Sequence, residues 1–141
     1  MPTCSHDIWR LNRNQRSTPE ELKTALTFFI TMPWVPIVYY GEEIGMRNIE
    51  DAPLKEGSYT SRNRSGCRTP MQWDNTANAG FSTAPAENIY LPIDPDPARP
   101  TVAAQQNDPA SILSYVRGLL ALRAATPALG TGGDWRYIGN V

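Results

Sequence analysis

Residues Met32–Met46 read Met-Pro-Trp-Val-Pro-Ile-Val-Tyr-Tyr-Gly-Glu-Glu-Ile-Gly-Met. Their centre, Val35–Tyr40, is a short run of β-branched and aromatic residues, which predicts a buried β-strand. Pro36 lies near its start, where a missing N–H group is tolerated. Gly41 ends the run and two glutamates follow. A strand of a parallel α/β sheet delivers functional groups in this way, just past its carboxyl end, although an ordinary core strand followed by a tight turn fits the same residues.

The clearest helix precedes this strand and covers Thr18–Thr31. Thr18-Pro19-Glu20-Glu21 has the pattern of a capping box with proline at the first helical position. Apolar residues then recur on one side of the helix, at Leu22, Ala25, Leu26, Phe29 and Ile30. Pro33 ends the helix. If a strand ends near residue 6, the order strand end, helix, strand is most of a βαβ unit, and the fold class is α/β.

Residues Arg47–Asn107 predict a long and largely irregular segment. It holds seven of the 13 prolines and the turn signal Asn78-Ala79-Gly80. Irregular segments of this length are unusual in compact domains and are commonly functional or disordered. Five apolar side chains that we expect to be buried argue against disorder. They are Met71, Trp73, Phe81, Tyr90 and Leu91.

A second helix is predicted after Asp108-Pro109, with Asp108 as its N-cap, and it ends before Pro127. Its apolar face comprises Ile112, Tyr115, Val116, Leu119 and Leu122. Arg123 lies in the last turn, where a cation suits the helix dipole. Beyond Gly130, Trp135–Ile138 has the composition of a strand that begins a further unit.

Composition narrows the classes of function. A net charge of −1 over 141 residues offers no basic face for nucleic acid or for an anionic membrane surface. No apolar run approaches the roughly 18 residues of a membrane span, and the first residues do not form a secretory signal. Cys4 and Cys67 lack the spacing of a disulfide framework or a metal site, which favours reduced thiols in a cytoplasmic protein. His6 is the single histidine, and we expect neither a metal nor a cofactor.

Ser5-His6-Asp7 contains the residue types of a hydrolase triad, but in consecutive positions. Neighbouring side chains of an extended segment point to opposite faces, so the three groups cannot converge as a triad does. A metal-binding His-Asp pair would need further histidines, which the sequence lacks. The remaining alternatives are an imidazole and a carboxylate that hydrogen-bond a substrate, or an ordinary buried pair.

Two further stretches carry polar chemistry. Glu42 and Glu43 could suggest acid–base work, but adjacent side chains diverge, and retaining glycoside cleavage needs two carboxyl groups about 5–5.5 Å apart. We therefore favour a structural role, as a buried acid paired with an arginine or as a cap for backbone N–H groups. Arg68–Asp74 combines a guanidinium, a rigid proline and a large aromatic ring, which suits either a sugar site or a packed loop.

Taken in order, these stretches resemble glycoside hydrolase family 13, the α-amylase superfamily. The likeness is closest to its α-glucosidase and oligo-1,6-glucosidase branch, with trehalose synthase near. His6-Asp7, followed by Arg10, resembles the signature after barrel strand 7, with Ser5 in place of the usual asparagine. Val35–Met46 resembles strand 8 and its turn.

The later stretches extend the resemblance over nearly the whole chain. Arg68–Asp74, with Asn78–Ser82, is similar to the Arg-Thr-Pro-Met-Gln-Trp-Asp loop of this branch and the segment after it. Ser111–Arg123 resembles the last barrel helix, and Trp135–Ile138 resembles the start of the β-sandwich that follows the barrel.

The resemblance implies a partial (β/α)8 TIM barrel. Residues 1–130 would be the C-terminal part of the catalytic barrel: the end of strand 7, helix 7, strand 8, a long loop and helix 8. Residues 131–141 would begin a truncated β-sandwich domain. A whole barrel takes about 250 residues, so 141 cannot contain one. We expect the isolated chain to be mostly helix and loop, with exposed edges and apolar stripes that promote self-association, aggregation or partial disorder.

The resemblance also implies roles for individual residues. Asp7 would stabilise an oxocarbenium-like transition state, His6 would hydrogen-bond the sugar at the cleaved subsite, and Arg68 would hold the distal hydroxyl of the terminal glucose. The substrate class is α-linked glucosides and oligosaccharides. The nucleophile aspartate and the acid/base glutamate of the family lie on earlier strands, so we expect no activity from this chain alone. The alternative is a non-catalytic sugar- or partner-binding remnant. We expect Asp7 and Arg68 to meet only within a whole barrel.

Overall fold

The computed structural model of the chain describes residues 2–13, 18–55, 63–132, 135–136 and 138–139. Within these ranges there are three α-helices: α1 (Pro19–Thr31), α2 (Val102–Gln105) and α3 (Ile112–Ala125). Single 3-10 turns occupy Glu42–Ile44, Ser65–Cys67, Ala77–Gly80, Ala86–Asn88 and Pro127–Leu129. No helix in the described ranges is both long enough and apolar enough to cross a membrane.

Helix α1 confirms the predicted capping box and apolar stripe. The Thr18 hydroxyl accepts a hydrogen bond from the Glu21 N–H at 3.3 Å, and the Glu21 carboxylate accepts one from the Thr18 N–H at 3.1 Å. The helix buries one stripe of side chains against α3. The resulting core cluster comprises Leu11, Leu22, Leu26, Ile30, Val116 and Leu119.

Helix α3 begins later than predicted, because Ser111 and not Asp108 is its N-cap. The Ser111 hydroxyl accepts from the Ser114 N–H at 3.1 Å. The Asp108 carboxylate instead accepts from the Ala110 N–H at 2.8 Å and so closes the turn before the helix. Because its carboxylate is bonded within this turn, Asp108 does not cap the helix, which begins three residues later. The helix ends at Ala125, before Pro127 as predicted.

Arg123 joins the two long helices. Its guanidinium donates to the carbonyl oxygens of Ile30 at 2.6 Å, Met32 at 2.8 Å and Trp34 at 2.7 Å. These carbonyls lie at the end of α1 and in the turn after it, where backbone acceptors lack intrahelical partners. Arg123 therefore caps the carboxyl end of α1 from the neighbouring helix α3. Its position in the last turn of α3 predicts only a favourable interaction with the dipole of α3 itself.

The segment Val35–Tyr40 is extended but is not a buried strand. Ile37 forms a parallel bridge with Pro2, and the Thr3 N–H donates to the Ile37 carbonyl at 3.0 Å. The predicted burial is wrong, since Val35 is 63% and Ile37 is 55% exposed. A strand becomes buried when chain covers both of its faces. Among the described residues only a short piece of extended chain pairs with this segment.

The order of elements is nevertheless that of a parallel crossover. Extended chain at Pro2–Thr3 leads through α1 to the extended segment at Ile37, and the pairing between the two is parallel. A second parallel bridge joins Asn12 to Arg47. The predicted strand at Trp135–Ile138 falls partly outside the described residues, at Tyr137, and its other three residues are not in a strand.

The described parts of the long segment after Met46, residues 47–55 and 63–107, are mostly irregular, as predicted, and ion pairs and a second core stabilise them. Arg47 donates to both carboxylate oxygens of Asp94, at 2.8 and 2.7 Å. Ile44, Met46, Met71 and Leu113 form the second core cluster. Of the five side chains predicted to be buried, Met71 and Leu91 are. Trp73, Phe81 and Tyr90 are about half exposed, which corrects that prediction.

The predicted turn at Asn78-Ala79-Gly80 is confirmed. Its three residues have positive φ values of 53°, 54° and 69°, the left-handed region in which a non-glycine residue is uncommon. The Ala79 carbonyl accepts from the Trp73 N–H at 2.8 Å, so the turn fixes the backbone beside that ring.

We expect replacement of Arg123 by methionine to lower the free energy of unfolding by about 2–3 kcal/mol, because several buried or half-buried carbonyls lose a charged donor. Urea denaturation followed by tryptophan fluorescence measures the change. Arg117→Met is the matched control, since Arg117 is exposed on the same helix and makes one long bond, 3.3 Å, to Gln106. Its expected cost is below about 0.5 kcal/mol. Equal costs for the two variants would contradict the capping role.

Candidate functional site

The three site residues predicted from the sequence lie together. Arg68 Nη2 is 3.3 Å from Asp7 Oδ1, and Arg68 Nε donates to the His6 carbonyl at 2.8 Å. His6 Nε2 is 3.1 Å from Asp7 Oδ2. The expectation that Asp7 and Arg68 meet only within a whole barrel is wrong. The turn at Ser65–Cys67 brings Arg68 back onto the segment that carries His6 and Asp7.

The site is exposed, which removes one of the alternatives left open for His6 and Asp7. The His6 side chain is 70% exposed and that of Asp7 is 46% exposed. An ordinary buried pair is therefore wrong. An imidazole and a carboxylate that can reach a bound molecule remain.

Arg64 is a member of this cluster that the sequence reasoning missed. Its guanidinium donates a hydrogen bond to Asp7 Oδ1. Arg64 and Arg68 flank the 3-10 turn Ser65–Cys67, so a single turn presents two guanidinium groups to one carboxylate. Two arginines four residues apart around a glycine were the available signal. At Gly66, an added Cβ would lie 2.2 Å from the Ile49 carbonyl oxygen, so the turn requires a glycine there.

The charges around Asp7 favour its ionised form. Desolvation acts to raise the pKa of Asp7, but the hydrogen bond and charge of Arg64, with His6 and Arg68, bring that pKa below its ordinary value. An ionised carboxylate is an acceptor only, so it suits hydroxyl donors. It also favours positive charge that develops nearby, which is the electrostatic stabilisation that many active sites use.

A buried ion pair, Arg10–Glu42, positions the segment that carries Asp7. Arg10 Nη1 lies 3.3 Å from Glu42 Oε1 and donates to the Tyr40 carbonyl at 2.7 Å. Glu42 Oε2 accepts from the Leu11 N–H at 3.1 Å. Both ion-pair residues are 2% exposed. The prediction of a buried acid paired with an arginine is confirmed for Glu42.

Burial dominates the electrostatics of this pair. Desolvation raises the pKa of Glu42 to about 7, while the charge of Arg10, the Leu11 N–H and the Arg10 hydrogen bond oppose the rise. The rings of Tyr39 and Tyr40 lie 5.4 and 4.9 Å from the Arg10 guanidinium carbon. Arg10 Nε and Nη2 are buried and have no hydrogen-bond partner within the described part of the chain.

An apolar groove of about 370 Å³ adjoins the cluster at Arg68. Its lining includes Tyr40, Glu43, Arg68, Trp73, Phe81 and Tyr90. The side chains of Trp73, Phe81 and Tyr90 are about half exposed, and Lys55 Nζ lies 5.0 Å from the centroid of the Tyr90 ring. Aromatic faces pack against the apolar face of a sugar, and guanidinium and carboxylate groups bond its hydroxyls. Glu43 is one of the residues that line this groove, whereas its neighbour Glu42 is buried in the core.

No group of three or more His, Cys, Asp or Glu side chains in the described ranges could hold a metal ion. The chemistry of the cluster rests on its imidazole, its carboxylate and its two guanidinium groups.

Comparison with known proteins identifies related sequences. The family model for the α-amylase catalytic domain matches residues 2–132. Trehalose synthase/amylase TreS of Mycobacterium tuberculosis is 39% identical over 116 residues, covering 79% of this chain and 18% of that protein. An α-glucosidase of Culex pipiens is 36% identical over 119 residues, covering 84% and 19%. The amino acid transporter heavy chain SLC3A1 of Homo sapiens is 44% identical over 102 residues, covering 72% and 14%.

Solved structures of related enzymes share the fold. A variant of MutB, a trehalulose synthase, in complex with glucose has a TM-score of 0.81 at 27% identity, covering 99% of this chain and 30% of that one. A second MutB variant, in complex with its substrate sucrose, has the same TM-score at 28% identity. The chain spans less than a fifth of the length of the three related proteins.

The raised pKa of Glu42 predicts a pH-dependent stability. A folded-state value of about 7, above the ordinary 4.5, means that the folded chain holds this proton more tightly than the unfolded chain. The resulting stabilisation is complete below pH 4.5 and is lost as the pH rises through 7. Relative to Glu42→Gln, the free energy of unfolding should therefore fall by up to about 3 kcal/mol over this range.

Denaturant titrations of the chain and of Glu42→Gln at several pH values measure this difference. Because the variant retains all other carboxylates, their titration contributes equally to both proteins and cancels in the difference between the two free energies of unfolding. A difference that does not change with pH would mean that Glu42 stays ionised beside Arg10.

Proposed function

We infer the function of this chain from its family: it belongs to the α-amylase catalytic-domain family, glycoside hydrolase family 13, whose catalytic domain is a (β/α)8 barrel. We propose that it carries part of the sugar subsite of a retaining α-glucosidase-type enzyme that acts on α-linked glucosides. In this proposal residues 1–130 form the C-terminal part of the barrel, and residues 131–141 begin the β-sandwich domain.

The cluster around Asp7 is the observation that carries the proposal. Its carboxylate is ionised, half exposed and held between two guanidinium groups, so it presents a fixed negative charge without needing to lose a proton. A fixed negative charge stabilises the positive charge of an oxocarbenium-like transition state. Arg68 donates hydrogen bonds to the His6 carbonyl and to the Asp7 carboxylate. These bonds fix the distance between Asp7, the proposed transition-state stabiliser, and the Arg68 guanidinium, which would hold a distal hydroxyl of the sugar.

The groove beside Arg68 supports a glucoside as the ligand. Its aromatic rings can cover the apolar face of a sugar, while Arg68 and Glu43 can bond hydroxyls. MutB variants in complex with glucose and with sucrose share the fold of this chain. We assign His6 and Arg68 to substrate binding and Asp7 to catalysis. Neither a metal nor a cofactor takes part in the proposed reaction.

We propose that the chain alone is inactive. The family resemblance places the nucleophile aspartate and the acid/base glutamate on earlier barrel strands, which have no counterpart among these 141 residues. A transition-state stabiliser cannot by itself cleave a glycosidic bond, because the retaining mechanism needs two further carboxyl groups.

We expect the isolated chain to bind maltose weakly and to show no turnover of an aryl α-glucoside. Titration calorimetry measures binding, and release of the aryl group measures turnover. Asp7→Asn should weaken binding at least about tenfold, because a charged acceptor is lost. Asp96→Asn is the matched control, since Asp96 is an exposed aspartate paired with Arg47 and is not part of the cluster.

Equal loss of binding in both variants would contradict the assignment of Asp7 to the sugar site. Turnover by the isolated chain that disappears in Asp7→Asn would contradict the proposed inactivity of the chain alone. In an intact enzyme that contains this chain, Asp7→Asn should lower kcat by about 10²–10³-fold. A kcat near that of the parent would overturn the catalytic role.

A non-catalytic binding role is the second candidate, and one relative favours it. The human relative, at 44% identity, is named as the heavy chain of an amino acid transporter rather than as an enzyme. Exposed apolar side chains in segments 2–9 and 35–40, which the parallel bridge between Pro2 and Ile37 joins, also favour association with another protein surface or with a second copy. They include Ile8, Trp9, Val35 and Ile37.

We expect the chain to self-associate through this apolar surface, and sedimentation velocity measures its extent. The double variant Val35→Thr, Ile37→Thr should shift the distribution towards monomer. Leu54→Thr is the matched control, since Leu54 is 57% exposed in the loop segment and lies away in sequence from this surface. A parent chain that stays monomeric at high concentration, or a control that acts like the double variant, would contradict self-association through this surface.

A further inference from the structure

Arg99 is a partly buried cation that lacks a partner in the described part of the chain. Its Nε is buried and has no hydrogen-bond partner there, and its guanidinium makes neither an ion pair nor a hydrogen bond with any described residue. Charged side chains that leave water are nearly always paired or hydrogen-bonded, because burial of an unpaired charge costs free energy. The Arg99 guanidinium is therefore able to pair with an anion from outside the chain.

The loop 94–99 fixes the backbone from which Arg99 projects. The Arg99 N–H donates to the Asp96 carbonyl at 3.0 Å, and the Asp96 carboxylate accepts from the Ala98 N–H at 2.8 Å. The Asp94 carboxylate accepts from the Asp96 N–H at 3.0 Å. Both carboxylates pair with Arg47 and not with Arg99. The loop thus positions Arg99 without neutralising it.

A cleft of about 410 Å³ lies beside Arg99, at the start of α1 and next to α2. Its charged lining residues are Arg47 and Arg99, and no carboxylate lines it among the described residues. Its apolar walls include Leu22, Ile44 and Ile112. A cleft of this volume, with apolar walls and a charged group, has the character of a small-molecule site.

The walls of the cleft are held in place by hydrogen bonds. Gln105 Nε2 donates to the Ile44 carbonyl at 2.8 Å, and Gln105 Oε1 accepts from a backbone N–H of α3 at 3.1 Å. Asn12 Nδ2 donates to the Gly45 carbonyl at 2.8 Å. At Gly45, where φ is 71°, an added Cβ would lie 2.7 Å from Ile112 Cδ1, so the backbone packs directly on that side chain. Fixed walls reduce the free-energy cost of ordering the site around a ligand.

The donors in the cleft suit a carboxylate. One guanidinium presents two parallel N–H groups that match the two oxygens of a carboxylate. A phosphate has more acceptor oxygens and calls for further charged donors. Arg47 is poorly suited to supply them, because it already pairs with Asp94 and Asp96. The apolar walls favour a carboxylate that is attached to an apolar body.

We propose that this cleft binds a small organic carboxylate. The carboxylate pairs with the Arg99 guanidinium, and the apolar body of the ligand lies against Leu22, Ile44 and Ile112. The cleft shares no lining residue with the groove beside Arg68, so the inference does not depend on the proposed sugar subsite.

Hexanoate and its neutral amide, hexanamide, test the proposal on the 141-residue chain. Titration calorimetry measures the affinity, and amide chemical shifts of the isotopically labelled chain locate the site. We expect saturable binding of hexanoate, with shifts at the Gly45 and Gln105 amides. Hexanamide should bind at least about tenfold more weakly, because its neutral head group cannot form the charge-assisted pair.

Three variants separate the role of Arg99 from a general effect of charge. Arg99→Met should weaken hexanoate binding at least about tenfold. Arg117→Met is the matched control, since it removes the same charge from an exposed position on α3 and should leave the affinity unchanged. Ala104→Leu fills part of the cleft while Arg99 remains, and it should also weaken binding. This third variant keeps the test decisive if circular dichroism shows that Arg99→Met does not fold.

Several results would overturn the proposal. They are an absence of saturable hexanoate binding, equal affinities for hexanoate and hexanamide, and equal losses in Arg99→Met and Arg117→Met. Inorganic phosphate that binds as tightly as hexanoate would indicate a general anion site and would overturn the assignment to a carboxylate. Displacement of hexanoate by maltose would assign the ligand to the groove beside Arg68 instead. Absence of maltose binding with hexanoate binding intact would count against the proposed function alone.

Discussion

The buried ion pair between Arg10 and Glu42 is the constraint on which the site depends. It joins the segment that carries Asp7 to the turn after Tyr40. One oxygen of Glu42 accepts from the Arg10 guanidinium, its other oxygen accepts from the Leu11 N–H, and Arg10 also donates to the Tyr40 carbonyl. Burying two such groups costs free energy unless each remains bonded, and loss of either partner would leave an uncompensated polar group in the core. The pair therefore contributes more to positioning than to net stability.

The turn Ser65–Cys67 in the long irregular segment supplies the remaining contacts to Asp7. Arg64 and Arg68 reach Asp7 from one 3-10 turn, and Gly66 lets that turn approach the backbone at Ile49. The same turn buries the Cys67 thiol, which donates to the Arg64 carbonyl at 3.0 Å. One local structure thus fixes the positions of both guanidinium groups in the exposed charged cluster, where we propose that a sugar binds.

Most predictions from local chemistry are confirmed, whereas the predicted burial of Val35–Tyr40 and of the side chains of Trp73, Phe81 and Tyr90 is wrong. The capping box of α1 and the left-handed turn at Asn78–Gly80 depend on residues within a few positions of each other. The burial of Val35–Tyr40 depends on what packs against it, and the described chain supplies little. The N-cap of α3 failed for a local reason, since Asp108 can close a turn as readily as it can begin a helix. Ser111 took the capping position instead.

The sequence by itself determined the two long helices, the irregular segment between them, the family and the identities of Asp7, His6 and Arg68 as candidate site residues. These follow from local patterns and from ordered motifs, which need no knowledge of contacts. Only the tertiary structure decided that Asp7 and Arg68 meet within this chain and that Arg64 joins them. Distances between residues far apart in sequence depend on how the intervening loop folds back, and here a single turn and a buried ion pair set that path.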